Sequence, residues 1–67
     1  MENHTDVLTG CLLDERAAAQ RLACSVALLR KWRLYGGGPR YHRLGRLVRY
    51  SEADLETFIQ QRRVEAA

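Results

Sequence analysis

The chain has few cysteines, no long apolar run and no acidic residue across its middle, and each absence narrows what it can be. Two cysteines, Cys11 and Cys24, are too few for the disulfide framework of a small secreted domain. With no CxxC pair they cannot build a zinc site either, so reduced thiols in a cytoplasmic protein are expected. No apolar stretch approaches the ~20 residues of a membrane span, and the opening MENHTDVLTG lacks the basic-then-apolar order of a secretory signal. Also missing are GxSxG, HExxH, a phosphate-binding loop and a well-placed carboxylate pair. No catalytic residue, metal ligand or cofactor is therefore assigned, and the chain is not expected to be an enzyme. The only histidines, His4 and His42, have no catalytic partners in the sequence. His42 is expected at an inward strand position, hydrogen-bonded locally.

What is present fits one small domain. In 67 residues, 46% hydrophobic and 28% charged is a globular balance, with room for a core of about a dozen side chains. Lys plus Arg is 11 against 8 for Asp plus Glu, a net charge of +3 that hides a strong asymmetry. Arg16, Arg21, Arg30, Lys31, Arg33, Arg40, Arg43, Arg46 and Arg49 follow one another without an intervening acid. A cationic middle between acidic ends points to a polyanionic partner.

Residues 1–11 are polar and aperiodic and are expected to form a flexible arm, 12–64 the folded domain, and 65–67 a tail. Three helix starts follow from one device, a short polar N-cap preceded by an apolar staple residue. Asp14 caps a first helix to about Ala23, with Leu13 stapling Ala18. Ser25 caps a second to about Leu34, with Cys24 stapling Leu29, and Leu29 and Trp32 form its buried stripe. Only Ala23 and Cys24 intervene, which is helix-turn-helix spacing. Gly36, Gly37, Gly38 and Pro39 then stop the second helix. In YHRLGRLVRY the period changes to two, with His42 and Leu44 on one face and Tyr41 and Arg43 on the other, which predicts a two-stranded hairpin turning at Gly45-Arg46. Ser51 caps a third helix whose Leu55, Phe58 and Ile59 face inward, with Tyr50 as staple and Arg62 and Arg63 at the C-terminal end. The expected fold class is α+β: two helices, a two-stranded wing and a C-terminal helix.

On the second helix the cations Arg30, Lys31 and Arg33, together with Ser25, Ala27 and Leu28, are the candidates to face a major groove. Alternation places Arg43 and Arg49 on the outer face of the hairpin with Arg46 at its tip. With Arg40 these make four arginines without a counter-charge, and Tyr41 could add a phosphate hydrogen bond. Tyr35 reads equally as a groove contact or a lid on the core.

The stretch LLDERAAAQRLACSVALLRKWRLYGGGPRYHRLGRLVRYSEADLETFI resembles the winged helix-turn-helix domain of small phage excisionases and prophage regulators, within the MerR-like superfamily. The GGGP break, the wing LGRLVRY and the following SEADLETFI, with Arg49, Tyr50, Asp54 and Leu55, carry the resemblance. It departs from the family at Ala23-Cys24-Ser25, where Gly-Val-Ser is usual, at Leu28, where Thr is frequent, and at His42, where an aliphatic residue is common. The resemblance implies that Ser25, Ala27, Leu28, Arg30 and Lys31 enter the major groove of double-stranded DNA, while Arg43, Arg46 and Arg49 reach the minor groove or the backbone.

Function within such a fold is not fixed by the fold. With Ala67 so soon after Ile59, a long C-terminal dimerisation helix is not expected. Head-to-tail self-association on tandem DNA repeats is then expected, with a tyrosine- or serine-type integrase as partner. The expected role is a recombination directionality factor in the bacterial cytoplasm, associated with the nucleoid and not with a membrane. The alternatives are a small transcriptional regulator of a mobile element and a protein-interaction module that docks an acidic partner.

Overall fold

The computed structural model describes residues 12–65; the expected arm, including Cys11, and the last two residues of the expected tail lie outside them. The order is β1 (Leu12–Leu13), α1 (Glu15–Leu22), α2 (Val26–Tyr35), β2 (His42–Leu44), β3 (Leu47–Ser51) and α3 (Glu52–Gln61). Three helices thus pack with a three-stranded antiparallel sheet of order β1-β3-β2, an α+β domain.

Local chemistry sets the helix ends. The Asp14 carboxylate accepts from the Ala17 N–H at 2.8 Å, the Ser25 hydroxyl from the Leu28 N–H at 3.0 Å, and the Ser51 hydroxyl from the Asp54 N–H at 3.0 Å. At the end of α1 the Cys24 N–H bonds the Ala19 carbonyl and the Ala23 N–H bonds the Gln20 carbonyl. That pair of reversed bonds requires a left-handed residue, and Ala23 adopts φ 55° although it carries a Cβ. After α2 the chain doubles back so closely that a Cβ on Gly38 would stand 2.5 Å from the Trp32 Cβ, so only glycine fits there. Arg62, which caps α3, lies 4.6 Å from the Phe58 ring and donates to the Gly37 carbonyl at 2.7 Å, tying this loop to the last helix.

The core is Ala18, Ala19, Leu29, Tyr50 and Leu55, with Leu13, Leu22, Cys24, Val26, Trp32, Tyr41 and Val48 packed around it. The two alanines let α1 approach closely, and burying Leu29 and Leu55 completely contributes about 1.5–3 kcal/mol each. Trp32 meets Phe58 edge to face at 5.4 Å.

Several expectations are corrected here. Leu12 and Leu13 form an additional strand, pairing with Ser51 and Tyr50, because the backbone of β3 has a free edge where α1 begins. The register of the hairpin, His42 with Arg49 and Arg43 with Val48, puts Arg43 on the same face as the half-buried Val48 and sets Arg49 beside His42 on the other. Arg43 and Arg49 therefore do not share an outer face. The face turned to the core is that of Tyr41, Val48 and Tyr50, and not that of His42 and Leu44, because the larger aromatic surface wins the interior. His42 packs instead near α3, where its Nε2 has no hydrogen-bond partner and lies 3.6 Å from an Asp54 carboxylate oxygen. Ile59 is 38% exposed because the last turn of α3 extends beyond the core, and Tyr35, 76% exposed, forms no lid.

Candidate nucleic-acid interface

The outer stripe of α2 is Ala27, Arg30, Lys31 and Leu34, spaced at i, i+3, i+4 and i+7, and all four are exposed. Leu28 is half-buried. Ser25 is exposed, and its hydroxyl oxygen is occupied as the cap of α2. Arg33 follows Leu29 by one turn and so lies on the inward stripe, its side chain only 16% exposed. Its guanidinium donates through Nη1 to the buried Tyr50 hydroxyl at 2.8 Å and through Nη2 to the Glu15 carboxylate at 3.0 Å. Burial opposes the Arg33 charge, but these hydrogen bonds outweigh it and hold the pKa above the ordinary arginine value. Arg33, which spacing groups with the candidates to face DNA, keeps its charge engaged by Tyr50 and Glu15.

Glu15, in the first turn of α1, also holds Arg30. The Arg30 Nε donates to one carboxylate oxygen at 3.2 Å and its Nη2 to the other. These bonds, led by that from Arg30, outweigh partial desolvation and with those from Arg33 hold the Glu15 carboxyl down at about 2. Arg30 nonetheless remains 63% exposed.

The hairpin is arranged differently. Gly45 turns it with φ 65°, and Arg46 stands at its exposed tip between Leu44 and Leu47, which face one another half exposed. The guanidinium groups of Arg43 and Arg33 lie 5.8 and 5.9 Å from the centre of the Tyr41 ring, which itself packs at 6.0 Å against Tyr50. Arg49 donates to the Val48 carbonyl at 2.8 Å. Arg40 is set apart: it lines a cleft against Asp54, Thr57 and Phe58 rather than joining the other hairpin arginines.

Between the start of α1, the Arg30 and Arg33 side of α2 and the hairpin runs an open groove of about 600 Å³ that brings together Arg16, Arg30, Arg33, Arg46 and Arg49. Its two acids are already committed, Asp14 as the α1 cap and Glu15 to the two α2 arginines. Arg16 was counted in the basic block but not assigned a role by sequence; its place in the second position of α1, beside the cap, is what brings it to the groove. Arg21 is neutralised at the other end of α1 by Glu56 at 3.0 Å and Glu52 at 3.8 Å. Among the described residues no acid lies within ion-pair distance of Arg16, Lys31, Arg40, Arg43, Arg46 or Arg49.

Among the described residues no group of three His, Cys, Asp or Glu side chains could hold a metal ion, and no helix is long and apolar enough to cross a membrane. Burial raises the pKa of the Cys24 thiol, which disfavours the reactive thiolate. Comparison with protein-family models and with curated proteins finds no match.

Proposed function

We propose that this chain is a winged helix-turn-helix protein that binds double-stranded DNA, with α2 as the recognition helix and the β2–β3 hairpin as the wing. The observation that carries the reading is the groove in which arginines from α1, α2 and the hairpin converge while the two acids that line it among the described residues are engaged internally. Cations gathered without free counter-charges repel one another, and a phosphate backbone relieves that repulsion while releasing the counterions condensed on the DNA. The exposed stripe Ala27, Arg30, Lys31 and Leu34 faces base edges, and Arg43, Arg46 and Arg49 reach phosphates or the minor groove.

Within that reading the chain serves as an excisionase, a recombination directionality factor. It coats or bends DNA at repeats beside an attachment site by head-to-tail self-association and steers a tyrosine- or serine-type integrase toward excision. The resemblance of the GGGP, LGRLVRY and SEADLETFI segments supports this role, and it implies a bacterial, nucleoid-associated protein.

Footprinting of the purified protein on its own source element across protein concentration tests the role. Cooperative protection of tandem direct repeats beside an attachment site is the expected result. Protection confined to an inverted repeat at a promoter would make the protein a transcriptional regulator, and the absence of salt-dependent DNA affinity would leave a protein-docking module. If six to eight phosphates are neutralised, log affinity should fall against log salt with a slope of about −5 to −7.

A further inference from the structure

Of the two cations on the outer α2 stripe, Arg30 is the one tied into a hydrogen-bonded chain that ends in the core. The fully buried Tyr50 hydroxyl accepts from Arg33, Arg33 donates to Glu15, and Glu15 accepts from Arg30, so a rigid core atom is linked through three side chains to an exposed guanidinium. A guanidinium has five N–H donors in a planar fork. Glu15 takes the edge formed by Nε and Nη2, which leaves the end formed by Nη1 and the second Nη2 hydrogen without a protein partner among the described residues, on a side chain that is 63% exposed and borders the groove. That end presents two parallel donors, the pattern that pairs with the O6 and N7 acceptors of guanine in the major groove. Lys31, its neighbour on the stripe, is a point charge on a flexible stem and has no such support.

We infer that Glu15 is a positioning residue that holds Arg30 in the orientation for bidentate recognition of a guanine, making one G·C pair the principal base determinant of the site. This rests on the DNA-binding reading and extends it, because it assigns base discrimination to a residue outside the recognition helix. A carboxylate bordering a DNA-binding groove would otherwise only repel phosphate. Its retention of both Arg30 and Arg33 gives it the opposite use, since ordering the arginine beforehand removes much of the entropic cost of aligning it on the base. A purely neutralising Glu15 and a positioning Glu15 predict different things for the ratio of affinities between two duplexes that differ at one base pair, because any uniform electrostatic change cancels in that ratio.

The experiment selects preferred duplexes from a random pool with the wild-type chain, then measures affinity for the selected site and its single-base-pair variants by fluorescence anisotropy. One G·C position should lose its preference in Arg30→Ala, with wild-type discrimination there of about 5- to 150-fold. Arg30→Lys should keep the salt slope of the wild type but lose discrimination at the same position. Glu15→Gln should bind random DNA at least as tightly as wild type while discrimination at that position falls several-fold, and the Glu15→Gln/Arg30→Ala pair should lose no more than Arg30→Ala alone. Circular dichroism melts establish that each variant is folded at the assay temperature. Should Glu15→Gln fail to fold, Glu15→Asp takes its place, since it keeps the carboxylate but shortens its reach to Arg30 and should lose the same discrimination; discrimination kept in full would overturn the inference. Uniform tightening by Glu15→Gln with discrimination intact overturns the inference, as does an equal loss on every sequence in Arg30→Lys. If the wild-type chain shows no salt-dependent DNA binding, the DNA-binding reading itself fails and takes the inference with it, whereas salt-dependent binding without a G·C preference overturns the inference alone.

Discussion

Arg30 and Arg33 of α2 share a groove with Arg46 and Arg49 of the hairpin, and the cations of the two elements are held in different ways. On α2, Arg30 and Arg33 share the Glu15 carboxylate, and Arg33 is further fixed by the buried Tyr50 hydroxyl. On the hairpin, Arg43 and Arg46 have no acid within ion-pair distance among the described residues, and Arg49 is held only by a backbone carbonyl. Charge that is paired and oriented suits the reading of a particular base, and charge that is unpaired suits the attraction of any phosphate. The number of arginines is therefore a poor guide to what each does; the partner that holds each one is the better guide.

The largest effect that would break this comparison is at Tyr50, which serves both regions as the packing centre of β3 and as the acceptor for Arg33. Tyr50→Ala removes a fully buried aromatic side chain and should cost about 3–5 kcal/mol, enough to unfold much of so small a domain, as read by a thermal melt. Tyr50→Phe keeps the ring and deletes only the hydroxyl, and should cost about 1–2 kcal/mol because Arg33 loses one buried acceptor. Equal losses in the two variants would show that the hydroxyl, and not packing, sustains the core.

Acid should loosen α2 and spare the hairpin. The Glu15 carboxyl titrates at about 2 in the fold against an ordinary 4.5, so its ionised form is favoured by folding. The stability it contributes is complete above about pH 4.5 and is lost as pH falls toward about 2. Glu15→Gln should cost about 1–2 kcal/mol at neutral pH, toward the low end for charged hydrogen bonds because the site is open to solvent, and should flatten this acid limb. Denaturant melts of both proteins between pH 2 and 6 measure it, and parallel limbs would show that another carboxylate dominates.

Arg43→Ala and Arg46→Ala should leave the melting temperature unchanged and weaken binding on all sequences, each flattening the salt slope by about one unit. Unchanged slopes would remove the hairpin from the interface. The smallest effect lies in the turn between α1 and α2. Ala23→Gly relieves a left-handed alanine and should stabilise the domain by up to about 1 kcal/mol with no change in the salt slope, a control for effects of stability on binding.

Features legible in the sequence are those whose partners are a few residues apart. The three caps at Asp14, Ser25 and Ser51 satisfy N–H groups three residues on, and the glycine run that ends α2 acts within its own turn. The change from helical to alternating period likewise located the hairpin. The hairpin faces are not legible in the sequence because His42, Leu44, Tyr41 and Val48 give apolar residues to both sides, and only the packing of β3 against α1 selects between them.

Sequence by itself therefore determined where each helix begins, where the chain turns and that its middle is basic, because short-range hydrogen bonds and side-chain period need no knowledge of distant residues. Tertiary structure decided which cations stay unpaired. Glu15 reaches Arg30 and Arg33 across 15 and 18 residues, and Glu56 reaches Arg21 across 35, so a block without acids in sequence is partly neutralised in space. It also decided the pairing of Leu12 and Leu13 with β3, since two residues have no periodicity and become a strand only when an unpaired edge lies beside them.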